Sequence, residues 1–514
     1  MRSLPVLCLW AILLIAPSVQ AGAKLGSFGL TDDARLALYQ DASQLHWLDG
    51  KQLNAVGEVA VQWLQNADQH GLKSRDYQLS RLLRELNNIS QHNARDTDEL
   101  LTATFLRLTE ELAIGRIRPA VADPDWHITG DAFDGIAFLN ELFGQNTGAQ
   151  AMNKAMQALL PQTPDYAFLQ QTLANYQQIA KHGGWPAIGN MPLLKPGEQH
   201  AELANIRQRL AAEFADVSVH SNPVDVYDAQ LVEAVKTFQQ RYSLKVDGII
   251  GSATRKTMNE PVSQRISQLR TSLERLRWLP DDPGERYLMV NLAGYQLSAV
   301  SGDSIALNMR VIIGRSYRQT PSFSTDMSHI VFNPYWNVPN KLARLDILPK
   351  QQQDPDYLIT QQFQVFEKID EQRVERRIDD INWQLLSSSY FPYTLRQQPG
   401  PLNALGTMKF MFPNPWSIYL HDTPQKDLFA QSQRNFSSGC IRVEDPLALA
   451  AFSLIQPDSS LLIDRILASR QNTGQMLKTP LPVYAIYQTA WSENGEIRFA
   501  DDHYGRDARM AKFL

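Results

Sequence analysis

Two residues in the last quarter of the chain could do covalent chemistry together. Cys440 sits in Asn435-Phe-Ser-Ser-Gly-Cys-Ile-Arg-Val443, and His421 lies nineteen positions earlier in Ile418-Tyr-Leu-His-Asp-Thr-Pro424. Cys440 is the only cysteine beyond the first ten residues. A thiol attacks as the thiolate, and a free thiol is mostly protonated at neutral pH. It needs a base, and His421 is the candidate. Gly439 has no Cβ, so substrate or backbone can approach closely there. The apolar run before His421 reads as a strand, and Ile441 and Val443 flank the cysteine. At a strand-end turn the sulfur is exposed while neighbouring N–H groups can hold a developing oxyanion. Taken alone, a single cysteine is more often a small buried hydrophobe, and a single histidine near a strand is more often structural.

The surrounding residues decide between these readings. Tyr419-Leu-His-Asp-Thr423 followed by Ser437-Ser-Gly-Cys-Ile-Arg442 resembles the signature of the L,D-transpeptidase catalytic domain of YkuD type. That signature is a histidine, a short spacer, then Ser/Thr-x-Gly-Cys with an apolar residue and Arg or Asn after it. Ser438 stands where many members carry a second histidine, a departure shared by the large gram-negative forms. The resemblance implies Cys440 as nucleophile and His421 as base. It further implies the Asp422 carbonyl as the group orienting His421, and backbone N–H groups of Gly439, Cys440 and Ser438 as the oxyanion hole. Tyr419, Arg442 and Trp336 are expected to line the substrate site, Arg442 equally as a structural ion-pair partner. No metal and no organic cofactor is expected.

The elements that must position these residues follow from pattern. From Arg286 the period is that of strands: Tyr287–Val290, Tyr295–Val300 and Ile305–Ile313, with turns at Gly294 and Gly302-Asp303. Ile330–Phe332 leads into Asn333-Pro-Tyr-Trp-Asn-Val-Pro339, a segment similar to one preceding the family's active site. Residues 340–402 interrupt the domain with a stretch rich in Gln, Asp and Arg and carrying Phe363, Phe366, Trp383, Phe391 and Tyr393. A long insertion beside a site is commonly a lid, and this one resembles the capping subdomain of large L,D-transpeptidases. Asp445-Pro446 reads as a helix start. Val483–Trp491 reads as a tail strand completing the sheet, and Gly505, Arg506 and Asp507 have no assignable role.

Upstream, residues 24–196 read as mostly helical. Leu100, Leu101, Phe105, Leu106, Leu108 and Leu112 recur at helical spacing behind Asp96-Thr-Asp98, read as caps. Ala67-Asp-Gln-His-Gly-Leu72, Asp76-Tyr77 and Gly115-Arg-Ile-Arg-Pro119 are similar to the helical scaffold domain of the same large forms. A Gly/Pro-rich boundary follows, then a compact unit at 197–260. Its helix from Asp228 presents Leu231, Val235 and Phe238 on one face. Ala234-Val-Lys-Thr-Phe-Gln239 and Asp247-Gly-Ile-Ile-Gly251 with Thr254 resemble the peptidoglycan-binding module, with Ser243 where that module usually has Gly. Residues 261–285 read as a linker helix. The fold class expected is multidomain α+β: signal peptide 1–21, helical scaffold domain 24–196, three-helix peptidoglycan-binding module 197–260, linker helix, and a mainly β catalytic domain 286–514 with capping insertion 340–402.

The N-terminus reads as a secretory signal. Arg2 precedes a 13-residue apolar core, Leu4–Ala16, that is too short to span a bilayer, and Val19-Gln20-Ala21 is a cleavage site. Cys8 would be removed with it. The expected location is the periplasm, where one remaining cysteine is either an intermolecular link or a reactive group. A net charge of −5 argues against nucleic acid as a partner. The resemblance implies a 3→3 cross-linking acyltransferase acting on peptidoglycan stem peptides, carbapenem-type β-lactams as inhibitors, and other cell-wall enzymes as neighbours. Two alternatives remain: a cysteine L,D-carboxypeptidase with the same residues, and a non-catalytic wall-binding scaffold.

Overall fold

The computed structural model describes residues 29–41, 43–144, 148–214, 216–218, 223–455 and 458–514. The expected signal segment 1–21, with Cys8 and the cleavage site, lies outside the described residues. Among the described residues no helix is long and apolar enough to cross a membrane.

The C-terminal half is built on a ladder that returns to its own start. Its strands run in the order Met408–Met411, Leu420–His421, Ile441–Val443, Ser304–Ile312, Gln296–Ser301, Arg286–Asn291, Thr473–Ile486 and Ser322–Phe332. The last of these pairs again with Met408–Met411, so the sheet closes around a core that includes Leu288, Val290, Leu297, Val311, Phe332, Phe410, Leu420, Ile441 and Val483. Closure removes free edges. The free end of Ser322–Phe332 is covered from the helical half by Trp126–His127, which pairs with it in parallel.

The tail departs from expectation. The closing strand begins at Thr473 and ends at Ile486. Ala490–Glu493 instead forms a separate hairpin with Glu496–Phe499. That hairpin packs Ala490, Ile497 and Phe499 into the helical core. Phe499 stacks on Tyr242 of the small module at 5.3 Å. The apolar run was visible in sequence, whereas the sheet it joins is set by distant partners.

In the helical half the central helix is Ala94–Ile114, burying Leu100, Leu101, Phe105, Leu108 and Leu112 as expected. Asp96–Asp98 do not cap it. The helix starts earlier, after Asn93, and Asp98 is fully buried, accepting from Tyr39 Oη at 2.7 Å and from the Trp47 N–H at 2.9 Å. A carboxylate can sit in a core when donors replace its water. The Gly115–Pro119 motif is likewise internal: Arg116 pairs with Asp76 at 2.7 Å. The linker helix, Val262–Leu276, is a buried strut between the two halves. Its Gln268 donates to the Ala500 carbonyl at 2.9 Å, and its Arg275 pairs with Asp507 at 2.5 Å.

In the small module the helix Ala229–Arg241 is capped by Asp228, which accepts from the Leu231 N–H at 2.9 Å. Gln239 clasps the Asp-Gly turn. Its Oε1 accepts from the N–H groups of Asp247 and Gly248, and its Nε2 donates to Asp247. The hallmark residues of this unit therefore hold one another. Ser243 adopts the left-handed backbone, φ +52°, that glycine would take freely, and its Oγ donates to the Phe499 carbonyl at 2.9 Å.

The insertion has its own core, including Leu348, Leu358, Val365, Trp383, Phe391 and Leu395. It carries a four-stranded sheet whose last strand is Trp336–Asn337. Most of its aromatics hold the subdomain together.

Candidate active site

Register alone brings the two expected catalytic residues to one place. Leu420–His421 pairs in parallel with Ile441–Val443, Leu420 opposite Ile441 and His421 opposite Arg442. Paired residues share a face, and neighbours along a strand alternate. Leu420, Ile441 and Val443 accordingly point into the core and are completely buried. Tyr419, His421, Cys440 and Arg442 share the opposite face. On the other flank Lys409 stands directly opposite His421, which places its side chain on that face too.

His421 is fixed from behind. Its Nδ1 lies 2.6 Å from the Asp422 carbonyl oxygen. A carbonyl only accepts, so Nδ1 carries the proton and Nε2 keeps its lone pair. Asp422 is held on several sides. Its N–H donates to the Met408 carbonyl, its Oδ2 accepts from the Thr407 N–H and Oγ1 at 2.8 and 2.9 Å, and its Oδ1 meets Lys426 Nζ at 2.7 Å. Gly406 makes room for that carboxylate: at φ +59° a Cβ there would collide with it. Burial, with Arg442 and Lys409 nearby, pushes the imidazole down to about 3. At neutral pH His421 is an uncharged base.

Cys440 is a free thiol whose Sγ lies 3.8 Å from the Ser417 carbonyl. Burial pushes it up, against Tyr419, Lys409 and Arg442, which pull it down. Tyr419 presents its hydroxyl both to the sulfur and to Trp336. Its ring sits edge-on to His421 at 5.7 Å, with Lys409 Nζ 4.0 Å from the ring centre.

The loop before the cysteine is tied by side chains. Ser437 Oγ donates to the Cys440 carbonyl at 2.5 Å and accepts from the Gly439 N–H at 3.1 Å. Gly439 has φ +124°, with nothing within 4 Å of where a Cβ would lie. Its N–H, expected in the oxyanion hole, is thus committed to Ser437. The Cys440 and Ser438 N–H groups make no hydrogen bond among the described residues. Ser438 Oγ accepts from Arg318 at 3.0 Å, and the same guanidinium pairs with Asp346 of the insertion at 2.5 Å. Thr320 Oγ1 holds the Gly439 carbonyl at 2.8 Å.

Arg442 corrects one expectation. It has no ion pair with a carboxylate among the described residues; its Nη1 donates to Gln425 Oε1 at 2.8 Å. The structure therefore gathers Cys440, His421, Asp422, Tyr419, Trp336, Arg442 and Ser438 at one site. Lys409, Arg318 and Ser437 were not anticipated. Lys409 lies in Met-Lys-Phe-Met, where alternation marks it only as the residue facing away from the core.

Comparison with known proteins gives this arrangement a context. Residues 285–466 match the family model described as L,D-transpeptidase catalytic domain (YkuD). Residues 33–173 match that of a scaffold domain, and residues 199–258 that named "Putative peptidoglycan binding domain". A protein of Haemophilus influenzae named "Putative L,D-transpeptidase" is 36% identical over 249 residues, 48% of this chain and 50% of that protein. The chain thus spans about half the length of that relative. Among solved structures, an L,D-transpeptidase of Stackebrandtia nassauensis is 12% identical, covering 59% of this chain and 96% of its own, with a TM-score of 0.23. One from Mycobacterium smegmatis is 11% identical, covering 39% and 58%, with a TM-score of 0.18. Scores this low fix no shared architecture.

Proposed function

We propose that this chain, whose segments match the models of an L,D-transpeptidase catalytic domain, a scaffold domain and a peptidoglycan-binding domain, is a periplasmic acyltransferase forming 3→3 cross-links in peptidoglycan. The donor is a tetrapeptide stem. The observation that carries this reading is the 2.6 Å contact of His421 Nδ1 with the Asp422 carbonyl, which leaves Nε2 as a base on the face that Cys440 shares.

His421 Nε2 takes the thiol proton, and Sγ bonds to the carbonyl carbon between the L-centre of the diamino acid and the terminal D-alanine. The oxyanion forms beside the free N–H groups of Cys440 and Ser438. Loss of one such donor typically raises the barrier by about 3 kcal/mol. The imidazolium then protonates the departing nitrogen, the C–N bond breaks, and D-alanine leaves a thioester on Cys440. A buried imidazole that resists protonation gives its proton up readily. The side-chain amine of an acceptor stem attacks the thioester carbon, and His421 removes its proton. The C–S bond breaks, and the proton returns to sulfur. One amide has been exchanged for another, and no cofactor is required. Tyr419 and Trp336, linked through the tyrosine hydroxyl, form the wall against which the stem would lie. Carbapenem-type β-lactams would acylate the same sulfur.

Incubating the enzyme with purified disaccharide-tetrapeptides and weighing the products tests the reading. A dimer lighter by one D-alanine supports it. Tripeptide alone makes the enzyme an L,D-carboxypeptidase, and unaltered substrate leaves only a wall-binding role. N-terminal sequencing of the protein recovered from the periplasm tests its export.

A further inference from the structure

The active-site face contains a cation that the reaction scheme above leaves without a role. Lys409 stands opposite His421 in the antiparallel ladder, and His421 stands opposite Arg442. The three form one row across adjacent strands, which lie about 4.8 Å apart, and Cys440 is two residues from Arg442 on the same face. Lys409 Nζ rests 4.0 Å from the centre of the Tyr419 ring, whose hydroxyl meets the sulfur. No carboxylate within ion-pair distance balances this ammonium among the described residues, although 22 other ion pairs are formed.

The other groups facing the thiol are His421 and Tyr419 on one strand and Arg442 on the next, with Arg315 behind Arg442. Of these only Arg442 also brings positive charge to the sulfur. His421 is uncharged, pushed down to about 3 by burial. Tyr419 can only be neutral or negative. Arg442 is held by Gln425 and repelled by Arg315. Lys409, like Arg442, pulls the thiol down and is pulled up by the sulfur against burial, but no hydrogen bond or ion pair to another side chain engages its ammonium among the described residues.

We propose that Lys409 is the positioning residue whose ammonium steadies the negative charge on the Cys440 sulfur once His421 has taken its proton. This rests on Cys440 being the nucleophile, but its test needs no turnover. The rate at which iodoacetamide alkylates Cys440 is followed against pH in the full-length protein, with the modified peptide identified by mass. Unfolding midpoints are measured alongside.

Lys409→Met should move the alkylation midpoint up by about one unit, the low end of what a neighbouring opposite charge does to a titration. Near neutral pH the modification should slow about tenfold. Lys409→Arg should restore most of the loss, and Lys409→Gln should behave as Met, which keeps the test available if Met does not fold. The shift should persist on a His421→Ala background. An unchanged midpoint in a folded Met or Gln variant overturns the proposal. So does a rise in KM for the stem peptide with no change in alkylation, which would make Lys409 a substrate carboxylate contact. If instead Cys440→Ala retains cross-linking, the proposed function itself fails.

Discussion

Arg318 holds Asp346 of the inserted subdomain through two hydrogen bonds, 2.5 and 3.1 Å long, and gives a third to Ser438 Oγ. One guanidinium thus ties the inserted subdomain to the loop carrying Cys440. Asp346 lies in a π-helical turn, Ala343–Ile347, an irregularity frequent at functional sites.

Breaking that tie should change chemistry more than stability. Asp346→Ala removes the partner of a partly exposed pair, worth at most about 1 kcal/mol. Under the proposed function, the inserted subdomain should then be held less firmly beside Cys440 and admit water to the thioester. The expected product shift is from cross-linked dimer toward trimmed tripeptide, read by mass spectrometry of reaction mixtures. Identical rates and ratios in Asp346→Ala and wild type would remove this tie from the mechanism.

Cys440→Ala should fold normally, lose turnover and form no adduct with a carbapenem, whereas the wild type gains the mass of the drug. Cys440→Ser should be nearly as poor, because a hydroxyl is far less acidic than a thiol. His421→Ala should acylate slowly and improve as pH rises through about 8.5, where an unassisted thiol ionises. Intact-protein mass spectrometry across pH reads all three.

Gly406 supports the base at one remove. Gly406→Ala forces a left-handed backbone on a residue with a Cβ, costing about 1–3 kcal/mol, and drives that Cβ into the Asp422 carboxylate. The Asp422 carbonyl must then move, and it holds His421. Chemical denaturation should show the stability loss. The kcat should fall at temperatures where the variant remains fully folded, and retention of wild-type kcat there would separate Gly406 from the histidine.

Acid sensitivity should be traceable to buried histidines. His70, in the helical core, is pushed down to about 3 by burial beside Arg277. Its folded value lies below its unfolded 6.5, so the unfolded chain binds more protons between the two. Its contribution is complete above pH 6.5 and is lost as pH falls toward 3. Replacement by an uncharged side chain, His70→Gln, should flatten the fall of the unfolding midpoint between about pH 6.5 and 4 and leave cross-linking at pH 7 unchanged. An equal fall in both proteins would mean that other groups set the acid limit.

Local signals were legible where chemistry and structure share a segment. The Cys440 and His421 motifs and the amphipathic helix from Asp228 could be read from adjacent residues. What escaped was set by pairing across the chain. Lys409 joins the site only because its strand lies beside Leu420–His421. The diversion of the Gly439 N–H depends on a serine rotamer. Asp98 looked like a cap because polarity at a helix start does not reveal whether the residue faces water or the buried Tyr39 hydroxyl and Trp47 N–H. Arg506 and Asp507 carried no motif, yet Arg506 donates to Thr320 and Ser322 near the start of the strand Ser322–Phe332, and Asp507, accepting from Thr489 and Arg275, anchors the strut helix.

The closing strand Thr473–Ile486 lies beyond residue 466, where the catalytic match ends. A fragment cut at that limit would leave two ladder edges unpaired, those of Arg286–Asn291 and Ser322–Phe332, and open edges invite association with other chains. The same dependence governs assembly order during synthesis. The helical half cannot complete its core until Ala490, Ile497 and Phe499 have been made, and contacts so far apart along the chain form slowly. The limits of the matched segments are therefore not places where this structure can be cut without exposing strand edges or core.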